Sequence, residues 1–326
     1  MKHLRCPIWG EIEISDLALS IIDTFEFQRL RYIKQTGLAY KVFPSATTSR
    51  FEHCVGVYHV TKMFITEIQK NLECNEKMSE HDKDLVGLVG LLHDLGHGPF
   101  SHLFDDWIGS QEQSIISKTH EERSCDIFRQ MWKKYNLQLK NSEVDWICNR
   151  IVSPPQENWY DTLVNNPYSS FDTDKLDYIL RDSRQFGINH AINVDRIFKN
   201  IKVIDNSVCF CDTIADEIQM LFETREKMHR SIYRHPMIEQ FQHYVKENIF
   251  PYCPPITSYE TFLKLTDATL FHHAPFSLWE KLETRHFDLI HVKHEKFSDK
   301  QKEKAFQNLL FYSRKNDKLL KLSDIN

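Results

Sequence analysis

Apolar residues along this chain recur every third or fourth position far more often than every second one, a spacing that predicts a mainly α protein. Residues 17–34 follow Ser15-Asp16, which suits a helix cap, and carry Leu19, Ile22, Phe25 or Phe27, and Leu30 at helical intervals. The same period predicts helices over 50–72, 82–95, 120–136, 141–152, 173–185, 213–234 and 236–248. Two segments alternate instead. Ile201 to Cys211 alternates around Asp205-Asn206 and predicts a small β-hairpin, and Ile8 to Ile14 predicts another. Pro154-Pro155 and Asn165-Asn166-Pro167 mark 153–171 as a long loop. The prolines at 251, 254 and 255 separate a body, 1–250, from a helical extension, 251–326, expected to pack on it. Within 291–326, Phe306, Leu309, Leu310 and Phe311 form an apolar stripe among Lys, Glu and Asp, the pattern of a solvated helix with one packed face.

Composition narrows the class. The 326 residues can bury a substantial core, and 41% apolar with 27% charged residues is ordinary for a globular protein. A net charge of -5 leaves no overall basic footprint for nucleic acid, although a local basic groove stays open. No run of apolar residues is long enough to predict a membrane span, and the N-terminus has no signal core. The eight cysteines form no CxxC pair, and the closest, Cys209 and Cys211, read as small apolar fillers. An intracellular chain with reduced thiols is expected, cytoplasmic or nuclear. Of nine glycines, four fall between Gly87 and Gly98, which implies close backbone approach there.

That cluster surrounds the most chemically loaded stretch, Leu85 to His97, in which an apolar run ends on His93-Asp94. An imidazole beside a carboxylate suits a borderline or hard divalent cation. His53 lies upstream, three residues after Arg50 and on the same helical face; Asp174 lies downstream, with Asp172 and Asp177 as competing carboxylates. Two nitrogen and two oxygen ligands leave positions on an octahedral ion for water and substrate. From Asp174, Tyr178 and Asp182 follow at i+4 and i+8 on one face, with Lys175 a step round. A second stripe, Arg225, His229 and Tyr233, repeats the interval; its polar atoms make it a poor core face and a good wall for a polyphosphate. His97, His102 and His120 add imidazoles, and His102 followed by Asp105 has the form of a general acid with an orienting carboxylate.

The ordered set His53, His93-Asp94, Asp174 resembles the HD-domain metal-dependent phosphohydrolases. Longer stretches resemble one branch, the deoxynucleoside triphosphate triphosphohydrolases that couple a SAM domain to the HD domain. They include Ile21 to Thr24, Phe27 to Gln35, Arg50 to His53, His93 to His102, Asp174 to Asp182, and Thr224 to Tyr233. The resemblance implies an HD-domain helical bundle with small hairpins over 1–250. Its Asp-Lys-x-x-Tyr pattern selects Asp174 as the fourth ligand. It further implies cleavage of a dNTP into deoxynucleoside and inorganic triphosphate by metal-activated water. His102 would protonate the leaving 5′-oxygen, supported by Asp105 and His120, with His97 near the α-phosphate. Arg50, Lys175 and Arg225, with His229 and Tyr178 beside them, would face the phosphates, where a Mg²⁺ could also sit. Gln35 and Asp182 would bind the 3′-hydroxyl, and Tyr233 would close on the sugar. The ion itself is open among Fe, Mn, Mg, Zn and Ni.

The resemblance also implies a guanine-nucleotide effector, GTP or dGTP, read by Asp23, Gln28 and Arg31 with Lys2. The adjacent family Asn-Asp pair is Arg5-Cys6 here. At a second effector site the basic positions hold Cys211, Thr213 and Pro236, while Arg196 is kept, so that site is expected to be altered. A homo-oligomer, dimer or tetramer, is expected. No SAM domain is recognisable, and the chain could be a fragment. The competing readings are another HD phosphohydrolase and a non-catalytic nucleotide sensor.

Overall fold

Side-chain caps set where most helices begin. In the structure, a computed structural model, residues 2–73, 77–110, 116, 119–290 and 307–325 are described. Ser15 caps α1 (Asp16–Ile22), Thr24 caps α2 (Phe25–Gln28) and Ser49 opens α3 (Arg50–Gln69) in a capping box with Glu52. Ser79 precedes α4 (Glu80–Leu92), α5 is His102–Gly109, and Thr119 caps α6 (His120–Lys134). Then come α7 (Asn141–Val152), α8 (Thr173–Gln185) capped by Asp172, and α9 (Val194–Phe198). The last helices are α10 (Ala215–Met228), α11 (Pro236–Asn248), α12 (Tyr259–Leu263), α13 (Asp267–His273) and α14 (Phe276–Thr284). The fold is mainly α, as the periodicity predicts.

Three helical expectations change. The helix expected over 17–34 breaks at Asp23, because the Thr24 hydroxyl accepts from Phe27 N and starts a new turn, followed by a 3₁₀ turn at Arg29–Tyr32. The helix expected over 213–234 ends at Met228 and continues as a π turn, His229–Tyr233. The C-terminal stripe is not helical where it is described. Leu310–Tyr312 is a strand, β5, paired with β6 (Leu319–Lys321), and Phe311 is buried against Phe210; Phe306 lies outside the described residues. Consecutive β-favouring residues with one fully buried ring suit a pleat better than a helix face.

The sheets are small. β1 (Lys2–Cys6) pairs antiparallel with β2 (Gly10–Ile14), so the first hairpin starts earlier than the sequence suggests and turns at 7–9. β3 (Ile201–Ile204) and β4 (Ser207–Cys211) form the expected hairpin, turning at Asp205-Asn206 with positive φ at both. β5 then adds to β4 in parallel, giving the order β3-β4-β5-β6.

α3 is the axis of the molecule. Cys54, Val57 and Tyr58 belong to one apolar core, which takes in α4, α6, α7, α11 and residues as far as Leu282. Val60, Phe64, Ile65 and Ile68 belong to a second core with α8, α10 and the four-stranded sheet. α4 lies close along α3: a Cβ on Gly90 would come within 2.8 Å of Val57. This stacking brings the start of α3, the end of α4 and the start of α8 to one place. No described helix is long and apolar enough to cross a membrane.

Candidate metal centre and active-site cleft

His53 stands one turn into α3, His93 caps the end of α4, Asp94 follows it, and Asp174 sits in the first turn of α8. Their donor atoms converge. His53 Nε2 lies 3.0 Å from Asp174 Oδ1 and 3.5 Å from Asp94 Oδ2. His93 Nε2 lies 3.4 Å from Asp94 Oδ1 and 3.5 Å from Asp174 Oδ1.

The other side of each imidazole is fixed. His53 Nδ1 is 2.8 Å from Asp177 Oδ2, and His93 Nδ1 is 2.7 Å from the Gly90 carbonyl. With those Nδ1 atoms donating, each Nε2 keeps a lone pair directed at the shared point. His53 Nε2 is fully buried and makes no hydrogen bond of acceptable geometry despite its carboxylate neighbours. A buried imidazole nitrogen without a well-aligned hydrogen-bond partner, facing two carboxylates, fits a divalent cation.

Electrostatics point the same way. Burial alone would push His53 down, but Asp174 and Asp177 outweigh it and raise it to about 9. Asp94, despite burial, is held well below the usual carboxylate range, chiefly by Arg50.

The three carboxylates left open by the sequence take distinct places. Asp174 points at the shared centre. Asp177 is fully buried behind His53 and accepts from Trp9 Nε1 and from Arg181 Nε and an Nη, each of the Arg181 bonds being 2.8 Å. Asp172 caps α8 through Lys175 N and pairs with the Lys175 ammonium.

Beside this centre His97, His102, Asp105 and His120 form a second group whose ligand atoms lie within 4.8 Å of one another. Asp105 Oδ2 is 3.0 Å from His120 Nδ1 and 3.5 Å from His102 Nδ1. Burial notwithstanding, these two histidines keep the Asp105 carboxyl far below its ordinary range. His97 stacks on His120 at 4.0 Å, is fully buried, and is held neutral by that burial together with the Arg50 and His120 charges. His102 is the exposed member, with 71% of its side chain open to solvent. α6 is latched to this loop: Gly96 N donates to Ser124 Oγ, Arg123 Nε donates to the Gly96 carbonyl, and Arg123 pairs with Asp105.

A cleft of about 660 Å³, counting its open mouth, joins the two groups. Gln35, Arg50, His93, Asp94, His102, His120, Asp174 and Tyr178 line it. Arg50 pairs with Asp94, donates from Nε to Ser101 Oγ at 2.9 Å, and contacts the Gln35 carbonyl at 3.2 Å. Further along α8, Tyr178 OH accepts from Arg225 Nε at 2.8 Å, and Asp182 Oδ2 accepts from Tyr233 OH at 2.7 Å. His229 packs edge-on to Tyr233 at 5.1 Å. The π turn sets the angle between Arg225 and Tyr233, so both meet α8. Lys175 turns aside to Asp172, and neither it nor Asp182, Arg225, His229 or Tyr233 lines the cleft itself.

The expected effector residues gather elsewhere. Lys2 and Asp23, both half exposed, stand 3.9 Å apart, and Arg31 Nε donates to Gln28 Oε1 at 2.8 Å.

Several site residues escape sequence reading. Arg150 lines the cleft with its guanidinium spent on Asp161; Arg123, Trp9 and Arg29 brace the loops from far along the chain. Only Arg181 carries a local signal, its i+4 spacing from Asp177.

Comparison with known proteins agrees. The HD domain family profile matches residues 50–157. A putative HD domain-containing protein of Acanthamoeba polyphaga mimivirus is 32% identical over 95% of this chain and 71% of its own length. The deoxynucleoside triphosphate triphosphohydrolase SAMHD1 homolog of Dictyostelium discoideum is 34% identical over 82% of the chain, and SAMHD1 of Homo sapiens 34% over 72%. The chain spans about half the length of these two, 51% and 42%. From the metal-ligand geometry and these similarities together, the chain belongs to the HD-domain family and is homologous to its SAMHD1 branch.

Proposed function

We propose that this chain hydrolyses deoxynucleoside triphosphates to deoxynucleosides and inorganic triphosphate. The observation that carries the reading is the convergence of His53, His93, Asp94 and Asp174 at the floor of a cleft walled by Arg50, His102, His120 and Tyr178. The names of the SAMHD1 relatives supply the substrate class.

His53, His93, Asp94 and Asp174 would hold a divalent cation, which when bound would acidify water and offset phosphate charge. Arg50 adds a fixed positive charge at the same wall. His102, solvent-facing and oriented by Asp105, gives its proton to the departing 5′-oxygen. His120 shares Asp105 and holds that carboxylate in place. Arg225, with His229 behind it, faces the phosphate tail, and Lys175 joins it by leaving Asp172. Gln35 and Asp182 meet the sugar 3′-hydroxyl, since Gln35 Oε1 and Asp182 Oδ1 are buried acceptors without partners. Tyr233 closes the sugar edge. A guanine nucleotide bound by Lys2, Asp23, Gln28 and Arg31 activates a homo-oligomer.

The test incubates purified protein with each dNTP and NTP in Mn²⁺, Mg²⁺ or Fe²⁺, with and without GTP, and separates the products. Deoxynucleoside and triphosphate are expected. Monophosphate with pyrophosphate would exclude the assigned bond, and cleavage of other phosphoesters alone would move the chain to a different HD phosphohydrolase activity.

A further inference from the structure

The turn that carries His102 is strained. Phe100 and Ser101 both adopt left-handed backbone, φ 59° and 58°, which is costly for a bulky residue such as Phe100. Such a conformation persists only where its surroundings impose it. Part of what imposes it comes from outside the matched segment, 50–157.

We propose that Asp267, in the first turn of α13, is a positioning residue for the active site: its two carboxylate oxygens hold together the two loops that carry Gln35 and His102. Oδ1 accepts from Phe100 N at 2.7 Å, and Oδ2 accepts from Lys34 N at 2.9 Å. The relay runs on from there. Ser101 Oγ donates to the Lys34 carbonyl at 2.7 Å and accepts from Arg50 Nε at 2.9 Å. Arg50 in turn pairs with the Asp94 ligand. One buried carboxylate therefore ties the Phe100-Ser101 turn to the 33–35 segment, and through Ser101 and Arg50 to the metal centre.

The chemistry suits a carboxylate and no other side chain of that size. Both oxygens accept from backbone donors, so an amide, which offers one acceptor, cannot satisfy both. Asp267 is buried with no solvent to take over the orphaned amide. Burial raises it to about 6, against the pull of the two amides, so it is ionised at neutral pH and both oxygens remain acceptors.

This inference rests on the proposed triphosphohydrolase reading, so its test has an arm that does not. In Asp267→Asn, hydrogen–deuterium exchange at residues 33–36 and 98–103 should quicken by about tenfold or more, with α11 unchanged. In dNTP hydrolysis, kcat should fall about 10–100-fold, the scale expected of a displaced catalytic group, with KM little moved. Combined with Ser101→Ala, which cuts the same relay on its other side, the two losses in kcat should be less than multiplicative. A lower melting temperature with local exchange and kcat per folded molecule unchanged would reduce Asp267 to a structural role and overturn the proposal. So would fully multiplicative losses. Should Asp267→Asn fail to fold, Ser101→Ala alone decides, since wild-type exchange and kcat in that variant refute the relay. If the wild type hydrolyses no dNTP, the functional reading fails while the exchange arm still decides the positioning.

Discussion

Asp177→Asn isolates what the buried carboxylate behind His53 does. Asp177 Oδ1 accepts from Trp9 Nε1 and an Arg181 Nη, and Oδ2 is shared by His53 Nδ1 and Arg181 Nε. An asparagine must place its NH₂ at one of these two positions. At the first, it faces Trp9 and Arg181, both donors. At the second, it faces Arg181 and forces His53 Nδ1 to become an acceptor, which moves the ring proton to Nε2 and blanks the metal-facing lone pair. Either way Arg181, 2% exposed, loses its charge partner. Breaking a buried pair by removing one member costs about 3–5 kcal/mol. At roughly 2.1 cal/mol/K per residue over 326 residues, that is a fall of about 4–7 °C in melting temperature. Disturbing the partner of a ligating histidine should weaken metal binding about 10–100-fold, or about 1.4–2.7 kcal/mol. Thermal melts of the metal-stripped protein measure the first effect, and Mn²⁺ titration calorimetry the second. Asp174→Asn is the contrast: it should abolish metal binding with a smaller loss of apo stability than Asp177→Asn, because that carboxylate, although paired with His53 and His93, is partly exposed. An Asp177→Asn protein that binds Mn²⁺ as the wild type does, and melts where the wild type melts, refutes the assignment.

Three further outcomes are expected. Burial lifts Asp182 to about 6 from its ordinary 3.8, with Tyr233 opposing. The folded state keeps this proton longer than the unfolded chain, so the ionisation penalty is absent below 3.8 and complete above 6, about 3 kcal/mol. Asp182→Asn should therefore raise the melting temperature by about 4 °C at pH 8 and hardly at all at pH 4, while lowering turnover; equal gains at both pH values would contradict the cause. His102→Ala should cut turnover about 10²–10⁴-fold in steady-state assays without moving the melting curve, since its ring is mostly in solvent. Gly96→Ala should cost about 1–3 kcal/mol or more in denaturant titration, because a Cβ there would sit 2.2 Å from the His120 carbonyl oxygen and 2.6 Å from Ser124 N. It should also lower activity by pushing α6 off the His93–His97 loop.

The helices at 141–152, 173–185 and 236–248 were legible from their apolar period, and the structure bounds them with Glu143 at the third position of α7, the Asp172 cap of α8 and Pro236 at the start of α11. The candidate set His53, His93, Asp94 and Asp174 was legible as a pattern, and the structure brings its side-chain N and O atoms close together. What was hidden is the bracing. Trp9 reaches Asp177 across 168 positions and Asp267 reaches Lys34 across 233, and no local period announces such contacts. The break at Thr24 was hidden for a different reason: a threonine hydroxyl can cap or point to solvent, and only packing of Phe27 beneath decides. The strand at Leu310–Tyr312 was missed because a three-residue apolar run reads equally as a helix face.

The parallel seat of β5 on β4 has a consequence for synthesis. The hairpin ending at Cys211 leaves the ribosome about a hundred residues before Tyr312, the partner of its last rung. At roughly 5–20 residues per second, that rung stays bare for about 5–20 s. Throughout that interval the nascent chain displays Cys209, Phe210 and Cys211 along an unpaired edge able to recruit any passing strand. The hazard closes when Phe311 arrives, so a ribosome stalled short of Leu310 leaves that edge open to foreign strands.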